Sequence, residues 1–473
     1  MTIIDNIKFY TVGVSETNNI CVIFNMGQLF FYHNGTFITE TDCDTFNPDK
    51  NRYPNGMKYL ADSIREQGLI PAVWVGFTHE VKESEYIKEN PQTVLINKQS
   101  WCGPYFLDPT HPDFLNGFLT IAFNQVKEWG FEAVKWDALP KTLDYLDQCH
   151  DDLYDKSLSS EDALRGAIQK ARDILGEDTY MLSCHGEAYR DITAFCDIFD
   201  AARIGADIFG WQDFKQYCVE RTCFLYPLHN IVEILDPDNV VLRDDFNNDI
   251  QAISRSCFVS MCGMPITLGD DLRFLQDSRI DIVKRAIPPM DIRSMLFEAP
   301  EFTGEILLIN LFINTGYEEY RVINFFNTLN IKTSTSYSFD ELDLEENAEY
   351  LVFDYWHNEF IGKINREISL DFDACETRIL SFRKFENRPM IVSTDRHITQ
   401  GACEIKNMKW DNERNALCGT SATVEGDSYT MKIYIPNGFN ADDKLTKIAD
   451  NLYSFTIEAA TGADVDWEFI FTK

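Results

Sequence analysis

The chain has 473 residues, with 42 Lys+Arg against 76 Asp+Glu and a formal charge of −34 at pH 7. Phosphate binding needs clustered cations, so a surface this acidic excludes nucleic acid as the default partner, and its long-range field favours a neutral ligand over an anionic one. Its 45% hydrophobic and 13% aromatic residues are enough to bury a large core, which sets the chain apart from disordered sequences.

The first residues, Met1-Thr-Ile-Ile-Asp-Asn-Ile-Lys8, lack the basic region and apolar stretch of a secretory signal. The longest apolar windows, such as 20–32 and 306–313, fall short of the roughly 18 to 20 residues that span a bilayer, so no membrane association is expected. Thirteen cysteines without a C-x-x-C pair fit reduced thiols and a cytoplasmic location better than a disulfide scaffold. From about residue 55 to 290, short apolar runs alternate with longer amphipathic stretches, the pattern of β-α units around a parallel sheet. The runs are 69–77, 131–139, 180–184, 198–208, 230–235 and 258–268. Helical patterns between them include 56–67, with Leu60 and Ile64 at i, i+4, and 114–129, where Phe118, Ile121, Val126 and Trp129 fall near one face. Such repeats predict an α/β fold with a (β/α)8-type barrel over 1–291. After Pro288-Pro289 the pattern changes to strands without helices, at 305–312, 320–326, 348–353 and 378–382. Turn residues such as Asn314-Thr-Gly316 and His357-Asn358 separate them, which predicts an antiparallel β-sandwich over 292–386. A second all-β stretch, with strands at 429–435 and 452–457, fills 387–473. Exposed strand edges in this region would allow a homo-oligomer.

Functional groups of a parallel barrel sit where its strands end. The run from Phe131 closes with Lys135 and Asp137, two apart and therefore on one side of a strand; the run from Ile198 closes with Arg203 and Asp207. Two carboxylates facing each other across a barrel mouth suit glycoside hydrolysis with retention, one attacking the anomeric carbon and the other protonating the leaving oxygen. The same spacing also fits aspartates that cap a following helix or lie in a salt bridge. Trp74, Trp101, Trp136 and Trp211 fall at or after strand ends, where an indole stacks on a sugar ring or fills the core. Asp270-Asp271 could hold a divalent ion or cap a helix. Cys184-His185 pairs a nucleophile type with a base type, but adjacent strand residues point to opposite faces. The eight histidines show no ligand pair, and there is neither a G-x-x-x-x-G-K-[ST] loop nor a strand-linked G-x-G-x-x-G. Neither a metal nor another cofactor is expected.

Taken in order, several stretches resemble the melibiase-type α-galactosidases of glycoside hydrolase clan D. They are Tyr53-Pro-Asn-Gly-Met-Lys-Tyr-Leu-Ala-Asp62 with Gly68 and Trp74; Trp101-Cys102 with Leu107-Asp-Pro-Thr-His-Pro112; Lys135-Trp-Asp137; Asp200-Ala-Ala-Arg203-Ile-Gly-Ala-Asp207; Leu235-Asp-Pro-Asp238 with Leu242-Arg-Asp; Gly263 to Leu272; and Pro288-Pro289. The resemblance is looser over the β region, including Ser393-Thr-Asp-Arg-His-Ile-Thr-Gln-Gly401. It implies that Asp137 is the nucleophile, Asp207 the acid/base, Lys135 and Arg203 ligands of the bound sugar, and Trp74, Trp101 and Cys184 part of its pocket. The expected activity is that of a retaining α-glycosidase, α-galactosidase first, cleaving terminal α-linked sugars of oligosaccharides through a covalent glycosyl-aspartate. A transglycosylase of the same family and a degenerate carbohydrate-binding relative are the alternatives. Two departures favour the last. The Trp-rich first barrel strand of the family has no counterpart, and Met1 to Phe9 resembles the helix that follows it. Where the family places paired aspartates on its second strand, this sequence reads Asn25-Met26, and losing a carboxylate there removes charge-assisted hydrogen bonds of about 1.5 to 3 kcal/mol each.

Overall fold

Among the described residues of the computed structural model, five strands lie parallel in one sheet: β1 (Ala72–Val75), β2 (Ala133–Trp136), β3 (Tyr180–Cys184), β4 (Ala201–Arg203) and β5 (Ile234–Asp236), side by side in chain order. The structure describes residues 46, 48, 53–66, 70–80, 82–184, 189–270, 274–290, 292 and 306–473. Expectations for the first strand, Asn25-Met26, His185 and Asp271 therefore lie outside the described residues. Parallel neighbours need crossovers: α2 (Thr120–Glu128) lies between β1 and β2, and α3 (Leu139–Gln148) and α4 (Ser160–Leu175) lie between β2 and β3, while α1 (Gly56–Arg65) precedes β1. The start and stop of α4 are written locally. The Ser159 hydroxyl accepts the Asp162 N–H, Glu161 and Asp162 fill the first turn, and Gly176 ends the helix at φ +93°.

Alternation along the strands sorts two cores. Val75, Val134, Trp136 and Met181 pack with helix residues such as Phe123, Leu164 and Ile168 in one large cluster. On the opposite face Leu182 and Ala201 are buried with Tyr180 and Ile234 against them. The polar strand-end residues lie on this second face.

Two readings of the sequence are corrected. Run 258–268 is not a strand: Phe258 to Met261 end α5 (Asp249–Met261), and Thr267 alone makes a parallel bridge, to Asn239. Asn248 and Gln251 form a reciprocal cap at its start. Because every residue from Ser254 to Met261 is buried, no polar face interrupts the run, and it has no periodicity to tell helix from strand. Ile121 is 51% exposed, while Ala122, Phe123 and Val126 are buried. A wider, π-type turn over Phe114–Leu119 precedes α2 and rotates the apolar face past Ile121.

The described residues up to Val241, with Pro265–Phe274, form one compact unit; Leu242–Met264 and Leu275–Lys473 form a second. The second unit contains α5, α6 (Asp277–Ala286) and the strands β6 (Ile306–Asn314), β7 (Glu319–Asn327), β8 (Tyr350–Asp354), β9 (Glu359–Ile364) and β10 (Thr377–Lys384), arranged antiparallel in the order β9-β8-β10-β7-β6. Ser254 of α5 donates to the Cys375 carbonyl at 2.7 Å. Beyond Met390 a four-stranded and a three-stranded antiparallel sheet enclose their own core of Ile391, Leu417, Met431, Ile433, Trp467 and Phe469. No helix among the described residues is long and apolar enough to cross a membrane.

Candidate active site

Strand register sets the site. Trp74 pairs with Lys135, and Cys184 pairs with Arg203, which pairs with Asp236. These side chains therefore emerge from neighbouring strands on one face of the sheet. Asp137 follows directly after β2, its N–H donating to the Val75 carbonyl at 2.8 Å. Both of its carboxylate oxygens are held: Oδ2 accepts the Trp74 indole N–H at 3.0 Å, and Oδ1 accepts the Ala138 N–H at 2.7 Å. Ala138 adopts φ +67°, a left-handed conformation uncommon for a residue other than glycine.

Beyond β4, Gly205 lets the chain pass against Tyr217, where a Cβ would sit 2.3 Å from the Tyr217 carbonyl oxygen. The chain then turns Asp207 back over Arg203. Arg203 Nη2 donates to Asp207 Oδ1 at 2.7 Å and lies 3.0 Å from Asp238 Oδ2; its Nη1 lies 3.6 Å from Cys184 Sγ. Asp238 Oδ2 also accepts the Ile208 N–H at 2.8 Å, and the Asp238 N–H donates to Asp236 Oδ1 at 2.9 Å. Lys135, Cys184, Arg203, Asp236 and Asp238 are buried, whereas the Asp207 side chain is 48% exposed.

The charges interlock. Burial alone would lower Lys135 and Arg203; the thiol and carboxyl groups of Cys184, Asp236 and Asp238 around both hold them above their ordinary values. Burial and the Asp137 charge push the Cys184 thiol up, against Lys135 and Arg203, and Asp207 adds to the upward push. One thiol thus senses both candidate carboxylates. Burial pushes Asp238 up more strongly than Arg203 and Lys135 draw it down. For Asp207 the balance is reversed: burial acts upward, but the charge and hydrogen bond of Arg203, with Lys135 behind, hold its carboxyl below the usual range. Asp207 is thus ionised in the free site.

Of the residues read from the sequence, Trp74, Lys135, Asp137, Cys184, Arg203 and Asp207 come together here. Trp101 is half exposed, beside the buried Cys102, whose thiol burial pushes up to about 11 and which also senses Asp137. Trp136 is a core residue facing the helices, not the site. Trp211 opens a helix after Gly210 and is half-buried. Asp200 of the same motif as Arg203 works at the other end of β4, accepting from Arg172 and from the Met181 N–H, each at 2.7 Å. Neither Asp137 nor Asp207 is the N-cap of the next helix, a position held by Ala138 and Gly210; Asp207 does lie in a salt bridge. No group of three or more His, Cys, Asp and Glu among the described residues is arranged to hold a metal. The sequence reading assigned no role to Asp236 and Asp238, although the strand-ending Leu235-Asp-Pro-Asp238 was a visible signal.

No family model matches the sequence. Among solved structures, the chain is similar to a β-L-arabinopyranosidase of glycoside hydrolase family 27 from Geobacillus stearothermophilus, with a TM-score of 0.56 and 15% identity over 71% of this chain and 80% of that one. It is also similar to α-galactosidase I from Mortierella vinacea (TM-score 0.50, 14% identity, 71% and 81% covered). A third match is the Saccharomyces cerevisiae α-galactosidase solved with raffinose (TM-score 0.50, 10% identity, 71% and 85% covered). The chain shares their fold. It is a (β/α)8-type barrel followed by a C-terminal antiparallel β-sandwich.

Proposed function

We propose that this protein is a retaining α-glycosidase of the clan D type, acting on terminal α-linked sugars of neutral oligosaccharides, galactose first. The observation that carries the reading is the pair of strand-end carboxylates, Asp137 and Asp207, arranged about one buried thiol on the strand between them, with Lys135 and Arg203 on their own strands. The shared fold with an arabinopyranosidase and two α-galactosidases supports it.

In this reading an Asp137 oxygen attacks the anomeric carbon while the bond to the leaving oxygen breaks and the Asp207 proton passes to that oxygen. Water then attacks the same carbon, Asp207 takes its proton, and the sugar–Asp137 ester bond breaks. The hydrogen bonds from Trp74 and Ala138 fix the attacking carboxylate in one orientation, which removes a reorganisation cost at the reaction step. Lys135 and Arg203 donate to sugar hydroxyls, and Cys184 and the indoles of Trp74 and Trp101 wall the ring. Asp207 is ionised in the free site, so a bound sugar must draw Arg203 away from it before it can serve as an acid. The eleven described cysteines are all free, which supports a reducing, cytoplasmic setting.

The ionised Asp207, with Met26 in place of a carboxylate, favours one second reading: a sugar-binding relative without turnover. Release of p-nitrophenol from a panel of aryl α-glycosides, by wild type beside Asp137→Asn, separates the two. Turnover by the wild type alone is expected. Equal rates from both proteins would refute the assignment of Asp137, and calorimetric sugar binding by a folded but silent wild type would establish the second reading.

A further inference from the structure

Asp238 is buried and has no role from the sequence alone, yet it holds two neighbours of the Asp207 carboxylate, Arg203 and the Ile208 N–H. Its Oδ2 is 3.0 Å from the same Arg203 nitrogen that donates to Asp207, and 2.8 Å from the N–H of Ile208, the residue after Asp207. The grip is itself fixed. Asp238 follows Pro237, stands at φ +69° and donates its N–H to Asp236 Oδ1, so the main chain that carries its carboxylate is held in place. Arginine is cationic at every working pH, and its 3.0 Å contact with Asp238 is a buried ion pair. One guanidinium nitrogen therefore serves two carboxylates: Asp238 inside and Asp207 at the surface.

We propose that Asp238 is the positioning residue for Asp207, taking up part of the Arg203 charge so that Asp207 can accept and release a proton, and holding the Ile208 amide so that Asp207 faces the bond to be cleaved. The inference rests on the glycosidase reading for its catalytic meaning, but its electrostatic link is independent of it. The groups that act on Asp207 or feel it are Arg203 on β4, Lys135 on β2, Cys184 on β3 and Asp238 beyond β5, while Asp236 acts on Arg203 and Asp238, and Asp137 on Cys184. Asp238 touches both Arg203 and the backbone beside Asp207. Removing its charge leaves Arg203 to act on Asp207 alone, which favours the ionised form.

Asp238→Asn keeps the shape and an oxygen for the Ile208 N–H but removes the charge. On a phenyl α-glycoside, whose leaving group needs a proton, kcat should fall by roughly 10- to 100-fold; on the 2,4-dinitrophenyl glycoside, which needs little acid help, it should change only a few-fold. The alkaline limb of kcat/KM should move to lower pH, and the Asp207 carboxyl, followed by 13C NMR, should titrate at lower pH than in wild type. Equal losses on both glycosides with an unmoved pH profile would mean that Asp238 is merely structural and would overturn the proposal. If Asp238→Asn does not fold, Arg203→Lys reads the same link. An ammonium is a point charge on a flexible stem and fixes neither carboxylate as the planar guanidinium does, so the phenyl substrate should again suffer more, and equal losses overturn the proposal. The glycosidase reading fails separately: a folded wild type silent on every glycoside sinks it, while the NMR shift still decides whether Asp238 governs Asp207.

Discussion

Both units of the molecule bury charge, with different ratios of cation to carboxylate. In the second unit Asp427 is only 9% exposed and is surrounded by three cations, Lys284 at 3.4 Å, Arg285 at 3.3 Å and Arg396 at 3.2 Å. Nearby, Arg383 is spent inwardly too, on Glu318, the Val392 and Gln400 carbonyls and the face of Tyr320. In the barrel unit one buried cation, Arg203, divides itself between a buried carboxylate and one that is half in solvent, whereas Arg285, which likewise reaches the half-exposed Asp281, shares Asp427 with two further cations. A saturated cluster locks a fold. A cation shared with an exposed carboxylate leaves that carboxylate able to exchange partners and protons, which is what chemistry at a strand end requires.

The comparison breaks most sharply at Asp137. Asp137→Asn should cut kcat on an aryl α-galactoside by about 10³-fold or more and leave the melting temperature within a few degrees of wild type; a large loss of stability instead would place Asp137 with the locking charges. The converse is expected of Asp427→Ala, which takes their shared carboxylate from Lys284, Arg285 and Arg396 while Arg285 keeps Asp281. It should cost about 3 kcal/mol in urea unfolding with kcat of the folded fraction unchanged, and a neutral outcome would remove the distinction between the units. Asp427 also gives the contrast a pH signature. Burial opposes its ionisation, but Arg285, Arg396 and Lys284 prevail and hold it below the usual carboxylate range. Its stabilisation is therefore complete above that range and is lost as pH falls through its lower folded value. Wild type should lose stability below about pH 4 more steeply than Asp427→Asn, which has no such group to protonate. Trp74→Phe keeps an aromatic face and removes one hydrogen bond to Asp137; kcat should drop roughly 10- to 100-fold with KM little changed, since one charge-assisted bond is worth about 1.5 to 3 kcal/mol. A rise in KM alone would make Trp74 a sugar platform only. Smallest of all, Ile121→Ser on the exposed side of α2 should stay within about 0.5 kcal/mol of wild type, whereas a loss of several kcal/mol would return Ile121 to the core.

Much of the barrel was legible because local rules write it. Strand Tyr180–Cys184 has the bounds its apolar run marks, and the two-residue spacing of Lys135 and Asp137 was sufficient to place them on one face. Leu452–Ile457 in the β region was equally plain. Residues 258–268 misled because a buried helix shows no alternation, and Ile121 because a π-type turn shifts the helical phase without a sequence mark. Trp136 could not be told from Trp74 by type or by nearness to a strand end. They fall on opposite faces of adjacent strands, and only the register Trp74–Lys135 decides which indole meets Asp137.

The sequence by itself determined the order of the elements, the acidic surface and the strand-end charges, since these depend on composition and on periods of 2 and 3.6 residues. Tertiary structure alone decided which of those charges share a partner. That Arg203 reaches Asp238 as well as Asp207, and that Asp207 stays at the surface while Asp238 is sealed inside, follows from packing β4 beside β5. The proton affinity of each carboxyl is set by its solvation and by its neighbours in space, and neither is written in its position along the chain.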